Sequence, residues 1–359
     1  MYNMQKIDLT YKGLRVISSL IITMFCLIFL GVNSCYAQEN TSNKINVNTK
    51  LLELSNVQEF IDHMESKHSY PRAELEEIFS KVNFVPKVVQ AVKAPAERFS
   101  WDKYKKIFLN KAKIEGGAAF WKKYSKDLDR AYETYGVNPE IIVAIIGVES
   151  MYGRYKGKFN VVNSLSTLAF GYTNRVKFFR SELENFLLLA KEQGFDVFNM
   201  KGSYAGAMGM PQFISSSWRH YAVDFSDIGN NDIISNPVNA IGSVANYFHK
   251  NGWKKGPIAD RINLEGDNYK HLLSAKTRPT KPKLSIEDFN KAGLKIDKDI
   301  NTKVALLAFN DDSDSSETEF WLGYNNFYTI TRYNFSSNYA MAVYELSQSI
   351  KSEYEKEIK

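Results

Sequence analysis

Apolar positions recur at helical spacing along much of the chain. Val57, Phe60, Ile61 and Met64 fall on one helix face. Tyr70-Pro71 breaks that pattern, and Leu75, Ile78 and Phe79 carry a second amphipathic piece. Phe120, Tyr124, Leu128, Ala131 and Tyr135 mark one further helix, with Gly136 as its stop. Asn138-Pro139-Glu140 then reads as a start: an N-cap residue, Pro at the first helical position and an acid in the first turn. Helical patterning returns over 175–193, 238–250 and 340–350. Between the last two, 276–283 holds two prolines and four positive charges, the composition of a linker or exposed loop. The runs 304–309, 319–323 and 327–332 are short, apolar or aromatic and bounded by turn formers, so they predict strands. The expected class is mainly α (α+β), with one small β-rich unit near the C-terminus.

The N-terminus has a different texture. Lys6, Lys12 and Arg15 precede an apolar run over 16–32, and Asn33-Ser34-Cys35-Tyr36-Ala37 follows it. A basic segment, an apolar segment and a small residue at the end read as a secretory signal over 1–37. The run nearly reaches spanning length, so an uncleaved membrane anchor is the alternative. Residues 38–55 form a polar linker. Both cysteines, Cys26 and Cys35, lie inside the signal, so the exported chain must rely on its core rather than on a disulfide. Val32-Asn33-Ser34-Cys35 resembles a lipoprotein box with an atypical Asn33, and Tyr36-Ala37 equally suits cleavage after Ala37. A lipid on Cys35 would anchor the mature chain to a membrane face.

Composition narrows the function classes. The 359 residues are 44% apolar and 24% charged, which excludes a largely disordered chain and suits two or three domains. Lys and Arg exceed Asp and Glu by 46 to 40, scattered along the sequence, which argues against a nucleic-acid binder.

The stretch Ile141-Ile-Val-Ala-Ile-Ile-Gly-Val-Glu149-Ser150 is apolar on every side and ends in a carboxylate. Such a helix is buried. Desolvation and the negative end of the helix dipole both disfavour an ionised Glu149, and a carboxylic acid kept protonated near neutrality is what general-acid cleavage of a glycosidic bond needs. The local pattern leaves a second reading open, in which Glu149 pairs with Arg154 or a C-terminal backbone group. Glu182, Glu184 and Asp224 are the candidates for a second carboxylate, and each fits a solvated helix face or loop better. Lys201-Gly202-Ser203 with Gly206 and Gly209 suggests a loop that lets backbone approach a ligand closely.

Three motifs carry a family resemblance: Gly147-Val148-Glu149-Ser150-Met-Tyr-Gly153-Arg154, the stretch 201–213 around Ser203 and Gln212, and 240–248 ending in Tyr247-Phe248. Together they resemble the membrane-bound lytic transglycosylase B family, bacterial enzymes that cut peptidoglycan. The resemblance runs from about Tyr104 to Tyr339. It implies a lysozyme-like helical core over 119–257, an added α domain over 56–118 joined by a C-terminal helix over 338–359, and a linker with a small β-rich domain over 258–337. It also implies periplasmic location, peptidoglycan glycan strands as the partner and no required cofactor. Glu149 matches the single catalytic acid/base. Ser203, Gln212 and Arg175 match polar cleft residues, and Asn174 stands where the family has a second arginine. Tyr104, Tyr247, Tyr333, Asn334 and Tyr339 match positions around the sugar subsites, whereas Phe178 replaces a tyrosine. The implied reaction needs no second carboxylate, because the C6 hydroxyl of the muramic residue closes a 1,6-anhydro ring. A hydrolytic muramidase on the same core and a catalytically dead wall-binding protein are the alternatives.

Residues 224–232 resemble the EF-hand-like loop of this family. Asp224, Ser226 and Asp232 stand at ligand positions with Gly229 at the turn. Ile228 supplies no oxygen at a fourth position, so the loop is expected to bind calcium poorly or to be a turn held by Asp and Asn side chains.

Overall fold

The structure is a computed structural model that describes residues 51–92, 100–171, 174–266, 268–309 and 318–358. The secretory signal, Cys26, Cys35 and most of the polar linker lie outside the described residues. Among the described residues no helix is long and apolar enough to cross a membrane.

The chain is mainly α, as its periodicity predicts. The N-terminal helices are α1 (Ser55–His68), α2 (Arg72–Lys81), α3 (Pro86–Val92), α4 (Trp101–Phe108), α5 (Lys111–Lys123), α6 (Ser125–Tyr135) and α7 (Pro139–Ser150). Then come β1 (Phe159–Asn160), α8 (Val161–Gly171), α9 (Val176–Gln193), β2 (Lys201–Gly202), α10 (Ser215–Tyr221) and α11 (Pro237–Lys250). The C-terminal part holds β3 (Ala259–Ile262), β4 (Leu264–Glu265), α12 (Ile286–Lys291), β5 (Lys295–Ile296), β6 (Ala305–Phe309), β7 (Glu319–Gly323), α13 (Asn325–Ile330) and α14 (Ser337–Glu357).

Helix α7 is the axis of the core: every residue from Glu140 to Ser150 is buried. Helices α5, α6, α11 and α14 pack around it. Full burial of an Ile or Val side chain contributes about 1.5–3 kcal/mol before entropy is counted, so a helix this apolar is stable only when enclosed. Trp121 on α5 stacks on Tyr354 of α14 at 4.6 Å, which fixes the C-terminal helix along the core. The apolar residues of α1 and α2 belong to the same continuous cluster as α7. A second, smaller cluster of Ile262, Leu284, Phe289, Leu294, Val304, Leu306, Leu322 and Tyr324 lies under the strands. The sheet order there is β3-β7-β6, antiparallel throughout.

Several local expectations change. The run at 120–135 is two helices, because Tyr124 leaves the helical region (φ −115°, ψ 26°) between α5 and α6. Gly136 does stop α6 in the left-handed conformation, φ 72°. Asn138 precedes Pro139 as expected, but its amide donates to Glu140 Oε1 at 3.3 Å rather than capping the backbone. The run at 327–332 is not a strand. Phe327 and Ile330 are buried three residues apart on α13, and Asn326 ties that helix to the backbone N–H and carbonyl of Lys254. The third strand is β3 instead, paired with β7 from sixty residues away.

Candidate active site

Glu149 sits one residue before the end of α7 and is 3% exposed. The backbone turns sharply after it, with Met151 and Tyr152 both left-handed (φ 51° and 59°). Ser150 braces the turn: its Oγ donates to the Ile146 carbonyl and accepts from Gly153 N–H. The Tyr152 ring wedges between α5 and α7, and its hydroxyl donates to the Lys113 carbonyl at 2.5 Å. Glycines make that wedge possible, since a Cβ on Gly147 would lie 2.5 Å from the Tyr152 hydroxyl and one on Gly117 would lie 2.7 Å from it.

Tyr339, near the start of α14, donates its hydroxyl to Glu149 Oε1 at 2.6 Å. Burial pushes the Glu149 carboxyl up from 4.5 to about 8, and the Tyr339 bond only partly opposes that rise. The phenol of Tyr339 is itself raised well above its ordinary value by burial, then by the nearby Glu149, Tyr333 and Tyr104. Among the described residues Glu149 makes no salt bridge. Arg154 is exposed and is not its partner, which removes the reading in which the two pair.

Aromatic side chains close round this acid. Tyr333 and Tyr247 meet at 4.7 Å between centroids, and Phe213 and Phe248 lie against Tyr333 at 5.9 and 5.7 Å. Their hydroxyls are spent on backbone: Tyr333 donates to the Pro211 carbonyl at 2.6 Å and Tyr247 to the Arg332 carbonyl. Tyr104, Tyr247, Tyr333, Asn334 and Tyr339 are all buried. The structure therefore gathers the tyrosines matched to sugar subsites into a packed group beside Glu149.

The segment after β2 brings the polar residues. Ser203 Oγ accepts from the N–H groups of Ala205 and Ala207, at 3.0 and 2.9 Å. Gly206 and Gly209 have φ of 85° and 73°, and their close approaches are to this chain: Leu165 at 2.7 Å and the Ile233 carbonyl at 2.6 Å from a built Cβ. That corrects the expectation of glycines kept small for a ligand. Gln212 is left-handed (φ 50°). Its Nε2 donates to the Gly209 carbonyl at 2.7 Å, while its Oε1 is buried with no hydrogen-bond partner among the described residues. A buried acceptor without a donor on a strained residue is a mark of a ligand contact. Arg175 stands apart at the start of α9, left-handed (φ 64°), with its guanidinium 4.5 Å over the Phe178 ring.

Glu182 is the residue that sequence reasoning misplaced. It is 3% exposed rather than solvated. Burial raises its carboxyl to about 7, against hydrogen bonds from Ser216 and Ser215 and the charge of Arg175. Ser216 donates its N–H at 3.0 Å and its hydroxyl at 2.6 Å, so Glu182 caps α10 from α9. A signal was present: Glu182 falls on the same stripe of α9 as Phe178, Phe179 and Phe186. Glu184 is half-buried and paired with α1.

In the 224–232 loop, Asp224 accepts from Ile228 N–H at 3.2 Å and Gly229 N–H at 2.6 Å. Asp232 accepts from Ile234 and Ser235 N–H at 2.7 and 3.0 Å. The Ile228 side chain stands 60% exposed. Both carboxylates are thus turned onto backbone, and Ser226 Oγ is engaged with Asn236 at 2.8 Å. The loop is held together by its own Asp and Ser side chains.

Comparison with known proteins accounts for this arrangement. Residues 53–348 match the family described as Transglycosylase SLT domain. The chain is similar to Membrane-bound lytic murein transglycosylase B of Escherichia coli (strain K12), 41% identical over 305 residues that make up 82% of each chain. It is similar in structure to the catenated lytic transglycosylase SltB1 of Pseudomonas aeruginosa, with TM-score 0.78 and 41% identity over 84% of this chain and 98% of that one. It is also similar to Escherichia coli lytic transglycosylase Slt35 in complex with calcium, with TM-score 0.75 and 41% identity over 84% of this chain and 94% of that one. A match that spans most of the sequence, with a relative 41% identical over 82% of it, gives one conclusion: the chain belongs to the transglycosylase SLT domain family.

Proposed function

We propose that this protein is a peptidoglycan lytic transglycosylase. It cleaves the β-1,4 bond between N-acetylmuramic acid and N-acetylglucosamine and leaves a 1,6-anhydromuramic end. The observation that carries the reading is Glu149, a fully enclosed carboxyl pushed up to about 8 and so protonated at neutral pH. Because Oε1 accepts from Tyr339, the acid proton sits on the other oxygen. Glu149 gives that proton to the glycosidic oxygen as the bond to muramic C1 breaks. The N-acetyl group of the muramic residue steadies the cationic centre. Glu149, now a base, takes the proton of the C6 hydroxyl, and the C6 oxygen closes on C1. The proton returns to Glu149 and no water is consumed.

The surrounding residues support single-carboxylate chemistry. Glu182, another carboxyl raised by burial, is committed to the start of α10. Gln212 Oε1 offers an acceptor for a sugar hydroxyl or amide N–H. Ser203 and Arg175 serve the same strand, and the buried tyrosines hold the acid desolvated. Calcium plays no required part, since Asp224 and Asp232 hold their own loop. The enzyme works in the cell envelope; the leader exports it to the periplasm, where Cys35 offers a lipid anchor.

The test is the mass of the products. Purified protein digesting peptidoglycan should release muropeptides with anhydro ends, and Glu149→Gln should lose activity by about three orders of magnitude or more while keeping its fold. Reducing muramic ends would assign a hydrolase instead, and substantial activity in the folded Gln variant would remove Glu149 from its role.

A further inference from the structure

Away from the acid, one cluster has the composition of a metal centre. His63 and His68 on α1 and Glu184 on α9 bring their ligand atoms within 4.8 Å of one another. His63 Nε2 lies 3.0 Å from Glu184 Oε2, and His68 Nε2 lies 2.7 Å from Oε1. The two rings meet edge to face at 6.1 Å, so both present Nε2 to the same carboxylate. Lys67 Nζ also reaches Oε1, at 2.9 Å.

We propose that His63, His68 and Glu184 form a divalent transition-metal site, with zinc the best-matched ion, that clamps α1 to α9. Two imidazoles and one carboxylate are a zinc donor set, with a fourth position left for water. Tetrahedral bonds of about 2.0–2.1 Å place neighbouring ligand atoms ~3.3 Å apart. The two histidine–carboxylate contacts need to open by about half an ångström, and the widest ligand-atom separation, up to 4.8 Å, has to close by up to about 1.5 Å. The side chains permit it: His63 is 44% exposed and His68 21%, so both can adjust and a water can enter. Lys67 is 55% exposed and can release the carboxylate into solvent.

The place of the site gives it a purpose. Glu184 lies two residues after Glu182, so on α9 the two carboxylates face different sides. One holds α10, the other α1. Beneath it α1 and α2 share the main apolar core, and at the surface edge α9 meets them through ion pairs. Arg180 reaches Glu59 at 3.8 Å, and Lys191 pairs with Glu74 at 2.9 Å and lies over the Tyr70 ring at 3.7 Å. Exposed pairs of that kind contribute little, whereas a metal bridging both helices would stabilise the seam in proportion to its occupancy.

The experiment uses the tag-free protein stripped with chelator, with zinc chloride as the probe. Calorimetry should give one site of low-micromolar affinity or tighter. At free zinc of about 100 times the dissociation constant, the melting temperature should rise by about 4 °C. His63→Ala and His68→Ala should each weaken binding by about tenfold or more, and the double variant should lose both binding and thermal shift. Lys67→Ala removes the competing cation and should tighten binding. The exposed positions of these residues keep the variants folded, which melts without zinc check directly. A missing saturable site below 100 µM zinc, binding undiminished in the double variant, or weaker binding in Lys67→Ala would each overturn the proposal and leave the cluster an ion-pair network.

Discussion

Replacing Glu149 by Gln should make the protein relatively more stable as pH rises, and the structure sets the size of the effect. The amide keeps the shape and removes the titration. In the parent, the carboxyl goes from 4.5 unfolded to about 8 folded. Between those values the unfolded chain has released its proton and the folded chain has kept it. The unfolded state therefore binds fewer protons, and stability falls as pH rises through the window. At pH 7 the loss relative to acid reaches about 3 kcal/mol, from the shift at about 1.4 kcal/mol per unit. Glu182 titrates in both proteins and cancels from the difference. Unfolding entropy of about 0.6 kcal/mol per degree for the described chain turns the effect into about 5 °C. Thermal or urea melts of both proteins at pH 4, 5, 6, 7 and 8 give the difference curve. It should climb by several degrees from pH 4 to pH 7 in favour of Gln and flatten near 8. The slope is the readout, because the amide's own hydrogen bond with Tyr339 adds a constant offset. Parallel curves would mean that Glu149 ionises freely in the folded state, and the desolvated-acid argument would fail.

Three further outcomes follow from the same geometry. Tyr339→Phe removes the one bond that favours the carboxylate, so the alkaline limb of the activity profile should move to higher pH, with stability lower by about 1–3 kcal/mol; a limb moved to lower pH contradicts the geometry. Gly147→Ala places a Cβ against the Tyr152 hydroxyl and should lower the melting temperature by about 2–5 °C despite better helix propensity; an unchanged or raised value would show that Tyr152 moves aside freely. Low-millimolar calcium should shift the melting temperature by less than about 1 °C, and a rise of several degrees that disappears in Asp224→Ala would show that the loop reorganises around the ion.

The axis of the fold was legible because α7 is apolar on every side, and only a central helix reads that way. The strands β6 and β7 were legible as short aromatic runs between turn formers. The error at 327–332 has the same root: a six-residue apolar run does not distinguish a strand from a buried helical turn. Asn326 decides it through Lys254, seventy residues earlier, and local pattern carries no trace of that contact. Glu149 was legible as an acid among apolar residues. Its partner Tyr339 was named for a sugar subsite and not for the bond it makes, because 190 residues separate the two. Glu182 was lost by treating a charged residue as solvated, although its stripe on α9 said otherwise. Arg154 was considered because it is near in sequence; it faces solvent.

The wide sequence separation also ties catalysis to folding. Glu149 ends a helix in the first half of the chain, Gln212 lies on a later loop, and Tyr333 and Tyr339 arrive with the C-terminal helix. The raised acid depends on α14 packing on α5 and α7, because α14 supplies part of the apolar cover, and the phenol it also brings only partly opposes the rise. Water admitted at that seam would let the carboxylate ionise, drop the carboxyl towards 4.5 and remove the general acid at neutral pH. The same ionisation would relieve the folding cost that burial imposes. A loosened α14 is thus favoured by electrostatics above pH 4.5 and opposed by packing, chiefly Trp121 on Tyr354 and the side chains of Val343, Leu346 and Ile350 in the core. Packing wins by the margin that keeps Glu149 protonated. Under the proposed function, substitutions along α14 should therefore lower activity at neutral pH before they lower the melting temperature, which paired activity and melting measurements on Leu346→Ala check.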